Sequence, residues 1–298
     1  MKILLFGAQG QLGWELSRSL APLGSLITAG RHPNHTYSLD LGDLQSLKSL
    51  IEDLKPQLLI NAAAYTAVDQ AESEPDLAHR INGEAPAVMA ETAHTLGIPL
   101  IHYSTDYVFN GQGQQPYQES DPTDPLNVYG HSKRSGELAI ESQGGPHLIF
   151  RTSWVYGLRG KNFLLTILRL ARQKTALTIV NDQIGAPTWS RSIADLTAQI
   201  LAQGCHNPSE FFETHRGLYH LTAAGETSWY HFAQTIVALD PNSSEHCLKT
   251  LDPIATQDYP TPARRPAYSR LNNQKLQQTF NLQLPNWEVL LKLALTDQ

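Results

Sequence analysis

Lys2-Ile3-Leu4-Leu5-Phe6-Gly7-Ala8-Gln9-Gly10-Gln11-Leu12-Gly13 decides the fold. An apolar run too short for a helix ends in glycines spaced GxxGxxG, and a helical pattern from Gln11 to Ala21 comes next. Glycine lets the backbone bend tightly and come close to a pyrophosphate, while the helix N-terminus supplies amide donors and a favourable dipole. The same glycines would also serve a plain tight turn. Their place at the first strand–helix junction favours a dinucleotide site.

Working outward, strands are expected at Lys2–Phe6, Leu26–Ala29, Leu58–Asn61, Leu100–Ser104 and Leu148–Thr152. Helical patterns near Gln11–Ala21, Leu44–Leu54, Asp76–Leu96 and Tyr129–Glu141 lie between them. Such alternation predicts an α/β, Rossmann-type doubly wound parallel sheet with helices on both faces. Later, Phe163–Gln173, Ser192–Ala202, Asn272–Thr279 and Trp287–Leu295 read as helices, Gly217–Leu221 as a strand returning to the sheet, and Pro241–Pro266 as turn-rich. We expect a nucleotide-binding domain over 1–155, with returning segments near 189–222. A smaller, partly interleaved C-terminal domain, 156–188 and 223–298, would bind substrate over the strand ends.

The 298 residues carry 22 basic and 28 acidic side chains and no long basic run, which argues against a nucleic-acid or membrane-surface partner. The first apolar run ends in a glycine turn, so it reads as a buried strand and not a signal peptide. No stretch approaches the roughly 18 apolar residues of a membrane span. Two cysteines, Cys205 and Cys247, without short spacing, suit a reducing cytoplasm and exclude a disulfide framework or zinc cluster.

The end of the second strand bears on the cofactor. NAD sites commonly place an acidic residue roughly 20 residues after the glycines to hold the ribose 2′-hydroxyl. Here the chain reads Thr28-Ala29-Gly30-Arg31-His32. Arg31 either faces a 2′-phosphate or is an ordinary solvated charge; the first reading favours NADPH, with NADH use possible. Asp40, before Leu41, either meets an adenine amino group or ends its strand and caps the segment after it. Asn61-Ala62-Ala63-Ala64-Tyr65 leaves room for a cofactor against the backbone, although small residues equally permit close helix–sheet packing.

Two segments carry chemistry: His102-Tyr103-Ser104-Thr105-Asp106-Tyr107-Val108-Phe109, and Tyr129-Gly130-His131-Ser132-Lys133 opening a helix. The spacing of four puts the Tyr129 phenol and Lys133 ammonium on one helix face. Lys133 would then favour the phenolate and bring the phenol nearer to neutral operation. A tyrosine so placed can protonate a carbonyl oxygen.

With the blocks Arg151-Thr152-Ser153-Trp154-Val155-Tyr156, Pro125-Leu126-Asn127-Val128-Tyr129-Gly130, Asn181-Asp182-Gln183 and Gly185-Ala186-Pro187-Thr188, these segments resemble the extended short-chain dehydrogenase/reductase family, and within it the dTDP-4-dehydrorhamnose reductases, over nearly the whole chain. The resemblance implies an NADP-dependent oxidoreductase of dTDP-rhamnose and polysaccharide biosynthesis, acting on a dTDP-linked 4-keto-6-deoxysugar. It implies that Thr105 assists at the carbonyl oxygen, Tyr129 donates the proton and Lys133 holds the nicotinamide ribose. Gly10, Gln11, Leu12, Asp40, Leu41, Ala64, Tyr65 and Thr66 would line the cofactor; Thr105, Asp106 and Trp154 would touch the sugar. Arg264, Arg265 and Arg270 become candidates for the diphosphate or plain loop charges. Some relatives carry a divalent metal at a dimer interface, held by glutamates, one just after the Gly-Ala-Pro-Thr block. Here Trp189-Ser190-Arg191 stands after it, and Glu15 is expected to be an exposed helix charge, so no metal is expected and the chain is read as a monomer or homodimer. The alternatives within the resemblance are a nucleotide-sugar epimerase or dehydratase, or a non-catalytic regulatory subunit such as that of methionine adenosyltransferase.

Overall fold

Successive residues of the first strand face opposite sides of the sheet, and both sides are buried. Ile3 and Leu5 pack into one apolar layer, Leu4 and Phe6 into the other. A strand covered by helices on both faces has no solvent side, hence the unbroken apolar run. The computed structural model describes residues 1–205 and 207–296.

The main sheet has seven parallel strands: β1 (Lys2–Phe6), β2 (Ser25–Gly30), β3 (Tyr37–Ser38), β4 (Leu58–Asn61), β5 (Leu100–Thr105), β6 (His147–Thr152) and β7 (Gly217–His220). Their spatial order is β7-β6-β5-β4-β1-β2-β3. The chain builds outward from β1 in one direction, then restarts at β4 and builds in the other. Loops leaving β1 and β4 therefore diverge and open a crevice at their carboxyl ends.

One layer is covered by α1 (Gln11–Ser19), the other by α2 (Leu44–Leu54), α3 (Ala85–Leu96) and α4 (Val128–Gln143). The α1 side also takes α5 (Phe163–Gln173), α6 (Ser190–Gln203), α7 (Trp229–Leu239) and α8 (Trp287–Thr296). Among the described residues no helix is long and apolar enough to cross a membrane.

Among the differences from the sequence reading, three concern the elements around the cleft and its outer wall. The helix expected over Asp76–Leu96 is broken into Pro75–His79, a π-turn at Arg80–Glu84, and α3. Pro86 lacks the N–H that would bond the Asn82 carbonyl one turn earlier, so the α ladder cannot run through. The turn-rich Pro241–Pro266 segment contains a strand, Thr250–Ile254, paired in parallel with Ala176–Val180 in a separate two-stranded sheet. Pro253 sits within it, tolerated because that strand has a partner on one side only. The third is α7, capped by the Ser228 hydroxyl, which accepts from the His231 amide at 3.1 Å.

Candidate active site

Loops at the carboxyl ends of the strands enclose a cleft with a cavity volume of about 690 Å³, in the range of small-molecule and cofactor sites. Its floor is the glycine turn. Gly7 has φ +82°, and a Cβ there would lie 2.7 Å from the Ala63 amide nitrogen. Gly10 caps α1 with no side-chain hydrogen bond, leaving the first-turn amides of the helix without a side-chain acceptor. Gly7, Gly10, Gln11 and Leu12 all line the cleft. Gly13 does not: it lies behind the turn, where a Cβ would come 2.0 Å from the Gly7 carbonyl oxygen. Its role is to let α1 close on β1.

Arg31 lines the far end of the cleft with Gly30, His32 and His35. Residues 29–35 contain no carboxylate. His35 folds over Gly30, where a Cβ would meet its Nε2 at 2.6 Å; partial burial and His32 hold its pKa below the usual imidazole value. Only closeness to Arg31 in sequence could point to these histidines. Asp40 and Leu41 line the same region. Capping of α2 belongs to Asp43, which accepts from the Ser46 amide at 3.1 Å; Asp40 accepts from Gly42 at 2.9 Å.

Ala63, Ala64, Tyr65 and Thr66 form the wall after β4. Asn82, on the π-turn, pins this wall: it accepts from the Tyr65 amide (2.8 Å) and donates to the Tyr65 carbonyl (3.0 Å) and to Ser132 Oγ on α4 (3.0 Å).

The opposite wall is the start of α4. Asn127 accepts from the Gly130 amide (2.8 Å) and donates to the Arg264 carbonyl (2.7 Å), fixing where the helix begins. Gly130 lets it press on the turn after β5, since a Cβ would stand 2.3 Å from the Tyr107 carbonyl oxygen. Thr105, Asp106, Tyr129 and Lys133 all reach the cleft. The Thr105 hydroxyl donates to Asp106 Oδ1 (3.1 Å) and accepts from the Tyr107 amide (3.2 Å). Burial pushes Asp106 up to about 6, against hydrogen bonds from Ser269, Ser153 and Thr105.

Tyr129 departs from the electrostatic expectation. Burial pushes its phenol up to about 12, opposed by the Thr105 hydrogen bond and reinforced by the Asp106 charge. Lys133 does not counter this, because its Nζ is turned to the Tyr103 carbonyl (2.6 Å) and to His102 Nε2 (3.2 Å). Burial draws Lys133 down to about 8, with Glu137 acting the other way.

Trp154 lines the cleft at φ +47°, a left-handed conformation costly for a bulky side chain. Its ring stacks on Trp229 with centroids 3.5 Å apart and planes 5° from parallel, and Gly185 clears space beside it. Trp229 also lines the cleft; nothing in its local sequence pattern announces this.

The C-terminal arginines are placed elsewhere. None of Arg264, Arg265 and Arg270 lines the cleft. Arg265 forms a two-point bridge to Asp69 (3.0 and 2.8 Å) and Arg270 pairs with Glu226 (3.2 Å), so both guanidinium groups are already engaged. Glu15 is buried rather than exposed, 5% accessible, and accepts from Arg18 and Arg191, each at 3.2 Å. Among the described residues, no three His, Cys, Asp or Glu side chains gather where they could hold a metal ion.

A crevice shaped for a dinucleotide, faced by a phenol and a lysine on one helix, is the equipment of an α/β oxidoreductase of the short-chain dehydrogenase/reductase class. Known proteins narrow the class further: the family described as RmlD substrate binding domain matches residues 1–298. The chain belongs to this family, that of the dTDP-4-dehydrorhamnose reductases. It is 49% identical to the dTDP-4-dehydrorhamnose reductase of Burkholderia thailandensis, covering 100% of this chain and 99% of the relative. For the reductase of Escherichia coli K12 the identity is 46%, covering 100% and 98%. Among solved structures, the Bacillus anthracis dTDP-4-dehydrorhamnose reductase in complex with NADP superposes with a TM-score of 0.87 at 32% identity, covering 100% of both chains.

Proposed function

We propose that this chain reduces the 4-keto group of dTDP-4-dehydro-6-deoxy-L-mannose with NADPH, giving dTDP-L-rhamnose. The observation that carries the reading is that the Tyr129 phenol, Thr105 and Lys133 line the same cavity of cofactor size as the glycine turn. The sugar and its nucleotide are taken from the full-length relatives.

The residues present suit a dinucleotide. The missing Cβ at Gly7 and the uncapped first turn of α1 leave a place for a pyrophosphate. The Ala63–Thr66 wall gives close backbone approach, and Arg31 with its two histidine neighbours suits an extra phosphate. The dinucleotide, when bound, supplies the hydride. Tyr129 donates the proton to the carbonyl oxygen: a phenol held at about 12 is fully protonated at neutral pH, the form an acid must have. Thr105 lies beside that phenol and stabilises the developing alkoxide once its hydrogen, here on Asp106 Oδ1, turns toward it. Lys133 supplies positive charge for the phenolate left behind and a donor for the ribose. Trp154 and Asp106 form the sugar side, with segments 156–188 and 223–298 as its outer wall.

The reading is tested by incubating the protein with NADPH and the dTDP-keto-sugar and identifying the product. Absence of dTDP-rhamnose from protein that binds NADPH would overturn it in favour of a non-catalytic dinucleotide-binding role. Two substitutions test its parts. Arg31→Ala should weaken NADPH binding by several-fold more than NADH binding; equal losses would show that Arg31 does not read the 2′-phosphate. Trp154→Ala should raise KM and lower kcat/KM while the NADPH dissociation constant stays within about twofold, as expected for loss of binding remote from the hydride donor. A matching fall in NADPH affinity would place Trp154 on the cofactor instead.

A further inference from the structure

Beneath the cleft, a buried row of polar groups runs from Asn61 at the end of β4 through His102 in β5 to Lys133 on α4, and the mechanism above uses only the last of them. The three are 1%, 1% and 2% accessible. Asn61 Nδ2 lies 3.1 Å from His102 Nδ1, and His102 Nε2 lies 3.2 Å from Lys133 Nζ. Register explains the alignment, because Asn61 and His102 are paired neighbours in the parallel ladder.

Counting donors fixes the protons. The Ala63 amide donates to Asn61 Oδ1 at 3.1 Å, so the carboxamide oxygen faces Ala63 and the NH₂ group faces the imidazole. An amide nitrogen only donates. His102 Nδ1 must therefore accept. Burial and the neighbouring Lys133 keep the imidazole neutral, and a neutral ring with Nδ1 unprotonated carries its hydrogen on Nε2. That N–H points at Lys133 Nζ. An ammonium has no lone pair to receive it, whereas a neutral amine has one, and still keeps a hydrogen for the Tyr103 carbonyl at 2.6 Å.

We propose that the Asn61–His102 pair sets the protonation state of Lys133, holding it as a neutral amine in the ligand-free protein so that it takes up a proton when a cofactor's hydroxyl oxygens reach Nζ. His102 is thus a positioning residue acting through Lys133. The other charges around Lys133 leave this balance in place. Glu137, one turn along α4, is committed to Arg151 (2.8 and 2.7 Å) and Arg134 (2.9 Å). Tyr129, one turn before, is a neutral phenol at working pH, and Asp106 is bonded by Thr105 and Ser153. Because uptake requires an arriving ligand, the second half of the proposal rests on reading the cleft as a dinucleotide site; the tautomer does not.

The tautomer is read directly. In protein labelled with ¹⁵N-histidine and free of cofactor, the His102 signal, assigned by its absence in His102→Gln, should show a protonated Nε2 and an unprotonated Nδ1. The reverse tautomer, or a charged ring, would overturn the proposal whether or not NADPH binds. For the uptake, NADPH is titrated calorimetrically in buffers of different ionisation enthalpy, just above the pH at which buried Lys133 gives up its proton, about 8. Binding should take up a large fraction of one proton; binding without uptake would overturn the proposal, while no binding at all would sink the cofactor reading and leave the tautomer test standing. Asn61→Asp puts an acceptor at Nδ1, moves the ring hydrogen there and frees Nε2 to accept from the ammonium. Uptake should then vanish, and the alkaline limb of the kcat/KM profile should move up by about one pH unit or more, since lysine is by far the stronger base. Unchanged uptake in a folded Asn61→Asp protein would also overturn it.

Discussion

Tyr129→Phe will lower kcat by about 10²–10⁴-fold, the usual worth of a positioned general acid, with little change in folding or NADPH affinity. The substitution removes one hydroxyl from a ring that is otherwise held by α4 and by an edge-on contact with Tyr107, centroids 5.8 Å apart. What is lost is the phenol hydroxyl that shares the cleft wall with Thr105. The pH dependence separates this from a packing defect. Since burial raises the phenol to about 12, the parent's alkaline limit should come from Lys133, which burial draws down to about 8, and not from the phenol. The variant should show a flat residual rate over the same range. Steady-state kinetics with NADPH and the keto-sugar decide it: activity within a few-fold of the parent would remove Tyr129 from the role of acid.

The second large effect is on stability. Glu137→Ala should destabilise the fold by about 3–5 kcal/mol, the cost of leaving one partner of a buried ion pair uncompensated. Arg151 in β6 is 1% accessible and meets Glu137 of α4, which is fully buried, through two parallel hydrogen bonds of 2.8 and 2.7 Å. Its remaining Nη1 has no partner, and its guanidinium lies over the Phe109 ring at 5.1 Å. Among the described residues, no second carboxylate pairs with Arg151 to take over when Glu137 is gone. Replacing both members at once, as Glu137→Leu with Arg151→Met, should cost less than the single change, because no charge then stays buried. Urea unfolding of the three proteins checks this, and a single-variant loss below about 1 kcal/mol would show that Arg151 finds solvent.

How much of the chain is legible in its sequence depends on how local each signal is. β1 and α1 are legible because strand, glycine turn and helix succeed one another within twenty residues, each with its own period. The Tyr129–Lys133 pair is legible because four residues is a helical repeat. The contacts of Lys133 are not, since His102 meets it only through the pairing of β4, β5 and α4. Trp229 is hidden for the same reason: its partner Trp154 is distant in sequence, and their stack forms only once α7 folds back over the strand ends. The C-terminal arginines mislead in the opposite sense. A cation near the end of the chain reads as available for phosphate, and nothing near Arg265 in sequence announces that Asp69 already holds it. Gly13 shows that a motif position can be right about the turn and wrong about contact, because its missing Cβ faces the backbone of Gly7 rather than the cleft.

The π-turn at Arg80–Glu84 has a consequence for chain length. A π-turn holds one residue more than the α-turn it replaces. Deleting one residue there other than Asn82 would remove that extra residue, rotating everything before it by about 100° and shifting it by about 1.5 Å relative to α3. Asn82 would then swing off Tyr65 and Ser132, and the wall after β4 would lose its tie to the helix bearing Tyr129. Substitutions on the outward face of this turn should be absorbed easily, whereas a one-residue gap should not. The spacing between Pro75 and Pro86 is therefore under tighter constraint than most of the side chains that fill it.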